Sequence, residues 1–320
     1  MSLVHKEEII CPKCKTHGEF DIWETMNADL NPELREKLFS EDAFFYRCPK
    51  CGMEIAVPYD FIYHDMKHKF IIMFSFFEPD EFDYEPLEIP HLSESLKDYT
   101  FRHAIGLFEL KEKIHILEKG LNDVAIERMK YAMSHYECPQ FAEKGIKLYF
   151  SDVRYDLPEY PLGSILFTVN TKDTETKIYA FPLNLYQHQC LACEIDPRMR
   201  VTGAEKVDDG WMSMKLGGDL KGKLQQETPE ETCHGFYIIK KTIRKSKNNP
   251  KTRYVEGIAH TNGDVLFPMI FEHIRWFGEN EAALADLGNK TYILTIRGGI
   301  FDPIKYKEEQ QQLEKNTKNK

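Results

Sequence analysis

The sequence predicts an α+β protein, in which a ribbon built around two cysteine pairs and a pair of helices precedes a β-rich C-terminal half. Three observations predict this fold class. Two Cys-Pro-Lys-Cys motifs begin at Cys11 and Cys48. Apolar residues recur at helical spacing between positions 101 and 133, with one break. After position 147, short β-prone runs alternate with turn residues.

The first element is the pair of motifs, which places Cys11 and Cys14 on one turn and Cys48 and Cys51 on another. Two residues between ligands let both sulfurs reach one ion at about 2.3 Å, and two such turns supply the four thiolates of a tetrahedral Zn²⁺ site. The alternatives are a pair of disulfides or four unrelated thiols. The doubled spacing favours a zinc ribbon with all four cysteines as ligands.

The residues after each pair suggest a difference between the two turns. Gly52 follows the second pair, at a position where φ is often positive, whereas Lys15 follows the first. We therefore predict that the first turn is less tight, or that it is closed by Gly18.

The next elements follow from local patterns. Apolar and acidic residues alternate from Gly18 to Trp23, which predicts a strand. Asn31 can cap a helix and Pro32 suits its first turn. The apolar run at 70–77 predicts a buried strand, and the acidic, proline-containing segment at 78–94 predicts a loop.

The strongest helical pattern lies between 101 and 133. Apolar residues are spaced three and four apart on both sides of Gly120. Glycine commonly ends a helix, and Asn122 or Asp123 can cap the next one. The segment therefore predicts two successive helices.

Four blocks of this region resemble the CpXC family, which is named for its pair of Cys-Pro-x-Cys motifs and occurs in bacterial and archaeal proteins. The blocks are Phe44–Gly52, Ile62–Asp65, Glu109–Ile114 and Leu121–Glu127. The resemblance extends from the first cysteine pair to the end of the second helix, somewhat under half of the chain. It implies a zinc-ribbon-like core whose ligands are Cys11, Cys14, Cys48 and Cys51. It implies no known activity and leaves the function open.

The second half of the chain is mostly strand-like. Runs at 147–150, 164–169 and 177–181 are β-prone, and repeated glycines between 203 and 222 predict loops without the spacing of a phosphate loop. A strand begins at Phe236.

The basic stretch that follows, from Lys240 to Arg253, could bind phosphate, but we favour a charged hairpin loop. An Asn-Gly turn between apolar runs then predicts a hairpin at 257–268. Residues 255–300 are similar to a single WG-type repeat, although the Trp-Gly pair that names this repeat is missing and one copy is present. Such a unit would have to pack on the preceding strands.

These patterns divide the chain into four parts. We predict a CpXC zinc-ribbon domain with a helical pair at 1–140, a β-rich region with glycine-containing loops at 141–235, a β-rich C-terminal unit at 236–304 and a polar tail at 305–320.

Composition narrows the class of protein. The chain has 320 residues, 42 % of them hydrophobic, and a formal net charge of −10. A general nucleic-acid binder would need basic surface, so the acidic balance disfavours that class. Residues 1–8 are polar and charged, which predicts no signal peptide, and the run at 70–77 is too short to span a bilayer. We expect a cytoplasmic protein with reduced thiols and no membrane association.

Other residues offer further candidates. His188, Cys190, Cys193 and Cys233 are a weaker second metal site, because the doubled spacing is missing and buried thiols are the commoner explanation. The adjacent His64 and Asp65, with His68 nearby, are a candidate acid–base couple, although local hydrogen bonding is the more frequent role of such residues.

Two function classes follow from the sequence. The favoured one is a zinc-stabilised binding or adaptor protein, because four thiolates close the coordination shell and leave the zinc structural. We expect its partner to be a protein, with nucleic acid disfavoured by the net charge. The alternative is an enzyme of undefined reaction, with a site between the CpXC domain and the β-rich half that uses His64, Asp65 or the Cys190 region.

Overall fold

The computed structural model describes residues 2–78, 94–170, 176–217, 231–243, 253–276, 282–304 and 307, with the side chains of 94, 170, 231–233 and 253 excepted. Nearly all of the predicted acidic loop, most of the basic loop and nearly all of the predicted tail lie outside these residues. The chain divides into two compact units, one formed by Met1–Leu121 with Val201–Val207 and the other by Asn122–Arg200 with Asp208–Lys320. None of the described helices is long and apolar enough to cross a membrane.

Within its described residues, the first unit contains seven strands and two α-helices. In chain order they are β1 (Leu3–Ile10), β2 (His17–Asn27), α1 (Pro32–Phe39), β3 (Phe45–Arg47), β4 (Glu54–Ala56), β5 (Phe61–Asp65), β6 (Phe70–Ser75), β7 (Thr100–Ile105) and α2 (Leu107–Glu118).

Five of these strands form one mixed sheet in the order β1-β2-β5-β6-β7, while β3 and β4 form a separate two-stranded ribbon. The β1/β2 and β5/β6 pairs are antiparallel, and the β2/β5 and β6/β7 pairs are parallel. Buried and half-buried residues alternate along β5 and β6, as expected for strands with one face on a core. The buried face packs with Leu34 and Leu38 of α1 and with Leu110 and Ile114 of α2.

The start of the predicted helical pair was wrong. Residues Thr100–Ile105 form β7, which pairs in register with β6, and α2 begins only after Gly106. The apolar residues of this segment fit either period, and the parallel pairing with β6 selects the strand. Gly106 has φ +78, which accounts for the sharp change from strand to helix.

The second unit contains the remaining elements, including a π-helical turn at Met133–Glu137. In chain order they are α3 (Asp123–Ala132), α4 (Pro139–Glu143), β8 (Leu148–Arg154), β9 (Ser164–Asn170), β10 (Thr176–Pro182), α5 (Leu183–Ile195), α6 (Asp209–Leu216), β11 (Glu231–Cys233), β12 (Phe236–Ile243), β13 (Arg253–His260), β14 (Val265–Phe271), β15 (His273–Trp276), β16 (Ala282–Leu287), β17 (Lys290–Thr295) and β18 (Ile300–Phe301).

The described strands of this unit form three antiparallel sheets, β10-β9-β8, β11-β12-β13-β14 and β15-β16-β17-β18. The last two contribute to one hydrophobic core that includes Phe236, Phe267, Phe271 and Leu294. The predicted α+β class and the strand-rich C-terminal half are confirmed.

Helices α3 and α5 show where local patterns predicted this region and where they failed. The Asn122 side chain accepts hydrogen bonds from the backbone amides of Val124 and Ala125, so the predicted cap of α3 is present. Helix α5 was not predicted, because its buried residues include the polar Gln189 beside Ala192 and its sequence lacks an apolar stripe.

Candidate metal centre

The first cysteine turn connects β1 to β2. The amide of Lys15 donates to the carbonyl of Cys11 at 2.9 Å, and the amide of Cys11 donates to the carbonyl of Thr16 at 3.0 Å. These two hydrogen bonds fold the chain back so that Cys11 and Cys14 present their thiols from the same turn.

The second turn connects β3 to β4 and repeats this pattern. The amide of Gly52 donates to the carbonyl of Cys48 at 2.9 Å, and the amide of Cys48 donates to the carbonyl of Met53 at 2.8 Å. Gly52 has φ +69 and Lys15, at the equivalent position, has φ +59. The prediction of a looser first turn was therefore wrong. Lys15 adopts the left-handed conformation at a cost of about 1–2 kcal/mol, and its side chain is exposed.

The two turns bring the four thiols together. All four Sγ atoms lie within 4.8 Å of one another. The Cys11–Cys51 and Cys14–Cys48 sulfur pairs are 3.6 and 3.5 Å apart, and all four cysteines are free. A tetrahedral site with metal–sulfur bonds of about 2.3 Å has sulfurs about 3.8 Å apart, whereas a disulfide bond is about 2.05 Å long. The arrangement can hold a metal ion and is compatible with a zinc-binding ribbon.

Local hydrogen bonds change the acidity of these thiols. The Sγ of Cys14 lies 3.2 Å from the Thr16 hydroxyl. Donation by this hydroxyl and by the Thr16 amide stabilises the thiolate and lowers the pKa of Cys14 to about 6. A hydrogen bond from the Met53 amide also lowers the pKa of Cys51. Burial and the three neighbouring sulfurs outweigh it and raise this pKa to about 11. The first turn therefore presents a thiolate readily, and a cation at the centre would favour ionisation of the others.

An apolar wall encloses one side of the cysteine cluster. Cys11, Cys48 and Tyr46 are its buried members, and the ring of Tyr46 packs edge-on against Phe20 with centroids 6.4 Å apart. A Cβ at Gly18 would lie 1.8 Å from the Tyr46 hydroxyl oxygen, so only glycine fits at this position while Tyr46 keeps its place. Glycine at position 18 thus lets β2 lie against the Tyr46 ring. It does not close the first cysteine turn.

The candidate acid–base residues form a local hydrogen-bonded turn. The Asp65 carboxylate accepts from the backbone amide of His68 at 2.7 Å and lies 2.8 Å from Nδ1 of the same residue. Nδ1 of His64 lies instead 3.4 Å from the Asn27 side-chain nitrogen, because neighbouring residues of a strand point to opposite faces. His64 and Asp65 therefore do not form a couple, and Asp65 closes the turn between β5 and β6.

Three residues of the second metal candidate share one helix, but their ligand atoms do not form a cluster. His188, Cys190 and Cys193 lie on α5, whereas the Cys233 side chain is outside the described residues. Burial raises the pKa of Cys190, raises that of Cys193 to about 12 and lowers that of His188 to about 4. Among the His, Cys, Asp and Glu side chains that the structure describes, only the N-terminal cysteine quartet comes together as a possible metal-binding group. A second site at these residues stays a prediction.

A hydroxyl–imidazole pair that the sequence did not indicate lies in the first unit. Oγ of Ser75, at the end of β6, is 3.0 Å from Nε2 of His103 on β7. Burial lowers the pKa of His103, and the positive charge of Lys206 lowers it further. The two residues are distant in the sequence, so only the pairing of β6 with β7 reveals them.

The comparisons with known proteins bear on the N-terminal part of the chain. The model of the CpXC family, described as CpXC protein, matches residues 9–130. This segment contains all four clustered cysteines and extends through most of α3. No curated protein and no solved structure matches the chain.

Proposed function

We propose that Cys11, Cys14, Cys48 and Cys51 hold a structural Zn²⁺, and that the protein is a zinc-stabilised binding or adaptor protein. The observation that carries this proposal is the convergence of four free thiols within 4.8 Å of one another on two matching turns. Thiolates are soft ligands, and four of them in a tetrahedral arrangement favour zinc over magnesium and calcium, which prefer oxygen ligands. The CpXC match over the same residues supports it.

The donor set supports a structural role. Four thiolates complete a tetrahedral shell and leave no position for a water molecule or a substrate. When bound, the ion supplies a cross-link between the two turns and positive charge that keeps the thiols ionised. Apart from the ion, the first turn is held by the β1/β2 pair and the second by two strands of three residues each, and both turns contribute to one small buried cluster.

The surroundings of the cysteine cluster suit a protein partner. Lys13, Lys15 and Lys50 are exposed on the two turns, in a chain with a net charge of −10. Ile10 and Phe45, on the strands that lead to the turns, are 52 % and 43 % exposed. Apolar patches rimmed by polar residues mark protein-binding surfaces, so these side chains are candidates for a contact with a protein partner.

Metal analysis tests this proposal. We expect purified wild-type protein to contain about one zinc per chain, and Cys48→Ser to contain far less, because a three-thiolate remnant is an incomplete shell. Cys138→Ser is the matched control, since Cys138 is also free but lies outside the quartet. Cobalt substitution followed by absorption spectroscopy would report thiolate coordination. Full zinc content in Cys48→Ser, or none in reconstituted wild type, contradicts the proposal.

One observation favours the catalytic alternative. A hydroxyl within hydrogen-bond distance of a neutral imidazole, as in Ser75 and His103, is the first half of a nucleophile–base couple. The same hydrogen bond also joins two neighbouring parallel strands, and that structural role is the one we favour. We expect a fluorophosphonate probe to leave Ser75 unmodified, as measured by peptide mass spectrometry. A stoichiometric adduct on Ser75 that disappears in His103→Gln would instead establish an activated serine.

A further inference from the structure

The outer edge of β1 is an exposed strand edge of the first unit. β1 is the terminal strand of the five-stranded sheet, and within the described part of the chain no strand pairs with its outer edge. All of its residues except Ile9 are exposed, including Leu3, Val4 and Ile10, which are 48, 47 and 52 % exposed. At the opposite end of the sheet, the β7 edge is covered in part, where the amide of His103 donates to the carbonyl of Glu205. An eight-residue strand edge with apolar ends is a template for another strand.

The charges on β1 limit what can pair with it. Lys6, Glu7 and Glu8 occupy the middle of the strand, and each is exposed. Charged side chains on an edge discourage indiscriminate pairing, because a strand without matching charges leaves them opposite apolar or like-charged residues. A partner strand must therefore present a positive charge and negative charges at set positions between two apolar ends.

A second copy of β1 meets this requirement in one antiparallel register. Directly opposite residues of an antiparallel pair share a face of the sheet, so a twofold axis normal to the sheet can only pair positions that differ by an even number. With the axis at Glu7, Val4 lies opposite Ile10 of the second copy, and Lys6 lies opposite Glu8. Each of these pairs occurs twice. On this face of the joined strands, two ion pairs lie at the centre and one apolar pair lies at each end.

Neighbouring registers lose the two Lys–Glu pairs. An axis at Lys6 pairs Leu3 with Ile9 and His5 with Glu7 on the other face of the sheet. It also places the two lysines opposite each other and Val4 opposite Glu8. An axis at Glu8 places two glutamates opposite each other and Lys6 opposite Ile10. Like charges directly opposite destabilise a pair, and a charge opposite an apolar residue gains nothing. Of these three registers, only the one centred on Glu7 forms two Lys–Glu ion pairs, and we therefore favour it.

We propose that two copies of this protein associate through β1 in this register and form a continuous ten-stranded sheet across the dimer. The inference goes beyond the proposed metal binding and does not depend on it. The register places the two copies of Glu7 opposite each other at the axis, which weakens the association. The interface is small, so we expect a concentration-dependent dimer rather than an obligate one.

Charge exchange on β1 tests the proposal by analytical ultracentrifugation over a concentration series. Lys6→Glu turns both interfacial ion pairs into like-charge pairs and should weaken dimerisation about tenfold or more. The double variant Lys6→Glu with Glu8→Lys restores opposite charges in this register and should recover dimerisation. Glu7→Gln removes the central repulsion and should strengthen it severalfold. Lys37→Glu, an equal change of net charge on α1, is the matched control and should have no effect.

Circular dichroism and zinc content of each variant separate folding defects from interface effects. The intramolecular Lys6–Glu19 ion pair is exposed, with N···O 2.8 Å, so its loss should leave the fold intact. A wild type that stays monomeric at all concentrations overturns the proposal, as expected if another part of the chain or a different protein covers this edge. Dimerisation that is equally strong in wild type and in Lys6→Glu also overturns the proposal, because the contact between the two copies then lies elsewhere.

Discussion

Removal of the proposed zinc by a chelator should destabilise the strands β1 to β4 around the two cysteine turns, while α1, which packs in the main core, and the second unit stay folded. Apparent binding free energies of structural zinc sites are about 10–16 kcal/mol, and this energy is folding energy wherever the site does not preform. The buried part of the cysteine cluster consists of Cys11, Cys48 and Tyr46, and β3 and β4 have three residues each. So small a cluster supplies little hydrophobic stabilisation without the ion.

Hydrogen exchange followed by mass spectrometry measures this effect segment by segment. We expect amide protection over residues 3–27 and 45–57 to fall on chelation and to return when zinc is added back. Protection of β13 and β14 in the second unit should stay unchanged and serves as the internal control. Unchanged protection around both cysteine turns, at confirmed zinc loss, would contradict a structural role for the metal.

Replacement of Arg128 should destabilise the second unit strongly. Its side chain is 1 % exposed and lies within α3, among groups that the sequence places far away. Nη2 donates to the carbonyl of Leu266 at 2.8 Å and to that of Gly298 at 3.1 Å, and Nε donates to Oε1 of Gln189 at 3.1 Å. Nη1 lies 4.0 Å from the buried carboxylate of Asp196. One guanidinium therefore connects a helix to two strand-bearing segments and to α5.

We expect Arg128→Met to cost about 3–5 kcal/mol of unfolding free energy, because methionine leaves two buried carbonyls and a buried amide oxygen without their donor. Asp196 keeps its ion pair with Arg198, at 2.7 Å, so the penalty comes mainly from those oxygens. Denaturant unfolding monitored by circular dichroism measures the loss.

Arg154→Met is the matched control for this prediction. Arg154 belongs to the same unit and pairs with Asp156, but 46 % of its side chain is exposed. An exposed ion pair contributes at most about 1 kcal/mol. Equal effects of the two substitutions would show that Arg128 is not the central donor that its hydrogen bonds indicate.

The sequence predicted the elements whose information is local. The spacing of Cys11, Cys14, Cys48 and Cys51 identified the candidate metal ligands, since two Cys-x-x-Cys turns are the usual source of four thiolates for one tetrahedral ion. The Asn122 cap was predicted from one side chain and its position after Gly120. The CpXC resemblance, stated from four blocks, agrees with the family match over residues 9–130.

Local patterns failed where distant residues decide the outcome. The 101–105 segment fits a helix by periodicity, yet β6 provides a parallel partner that makes it a strand. Arg128 lies four residues after the buried Val124, so a charge on the apolar stripe of α3 was the available signal for a buried role. Its carbonyl acceptors are 138 and 170 residues away in the chain, and no local pattern could name them.

The sequence by itself therefore determined the cysteine quartet, the α+β class and the helix boundary at Gly120, because turn spacing, periodicity and capping act over a few residues. The tertiary structure alone decided that the two turns face each other within 4.8 Å, that Lys15 takes the same conformation as Gly52, and that Ser75 meets His103. It also left the charged edge of β1 exposed. These features depend on which strands pair and which groups need hydrogen-bond partners, and that choice is made by contacts between residues far apart in the chain.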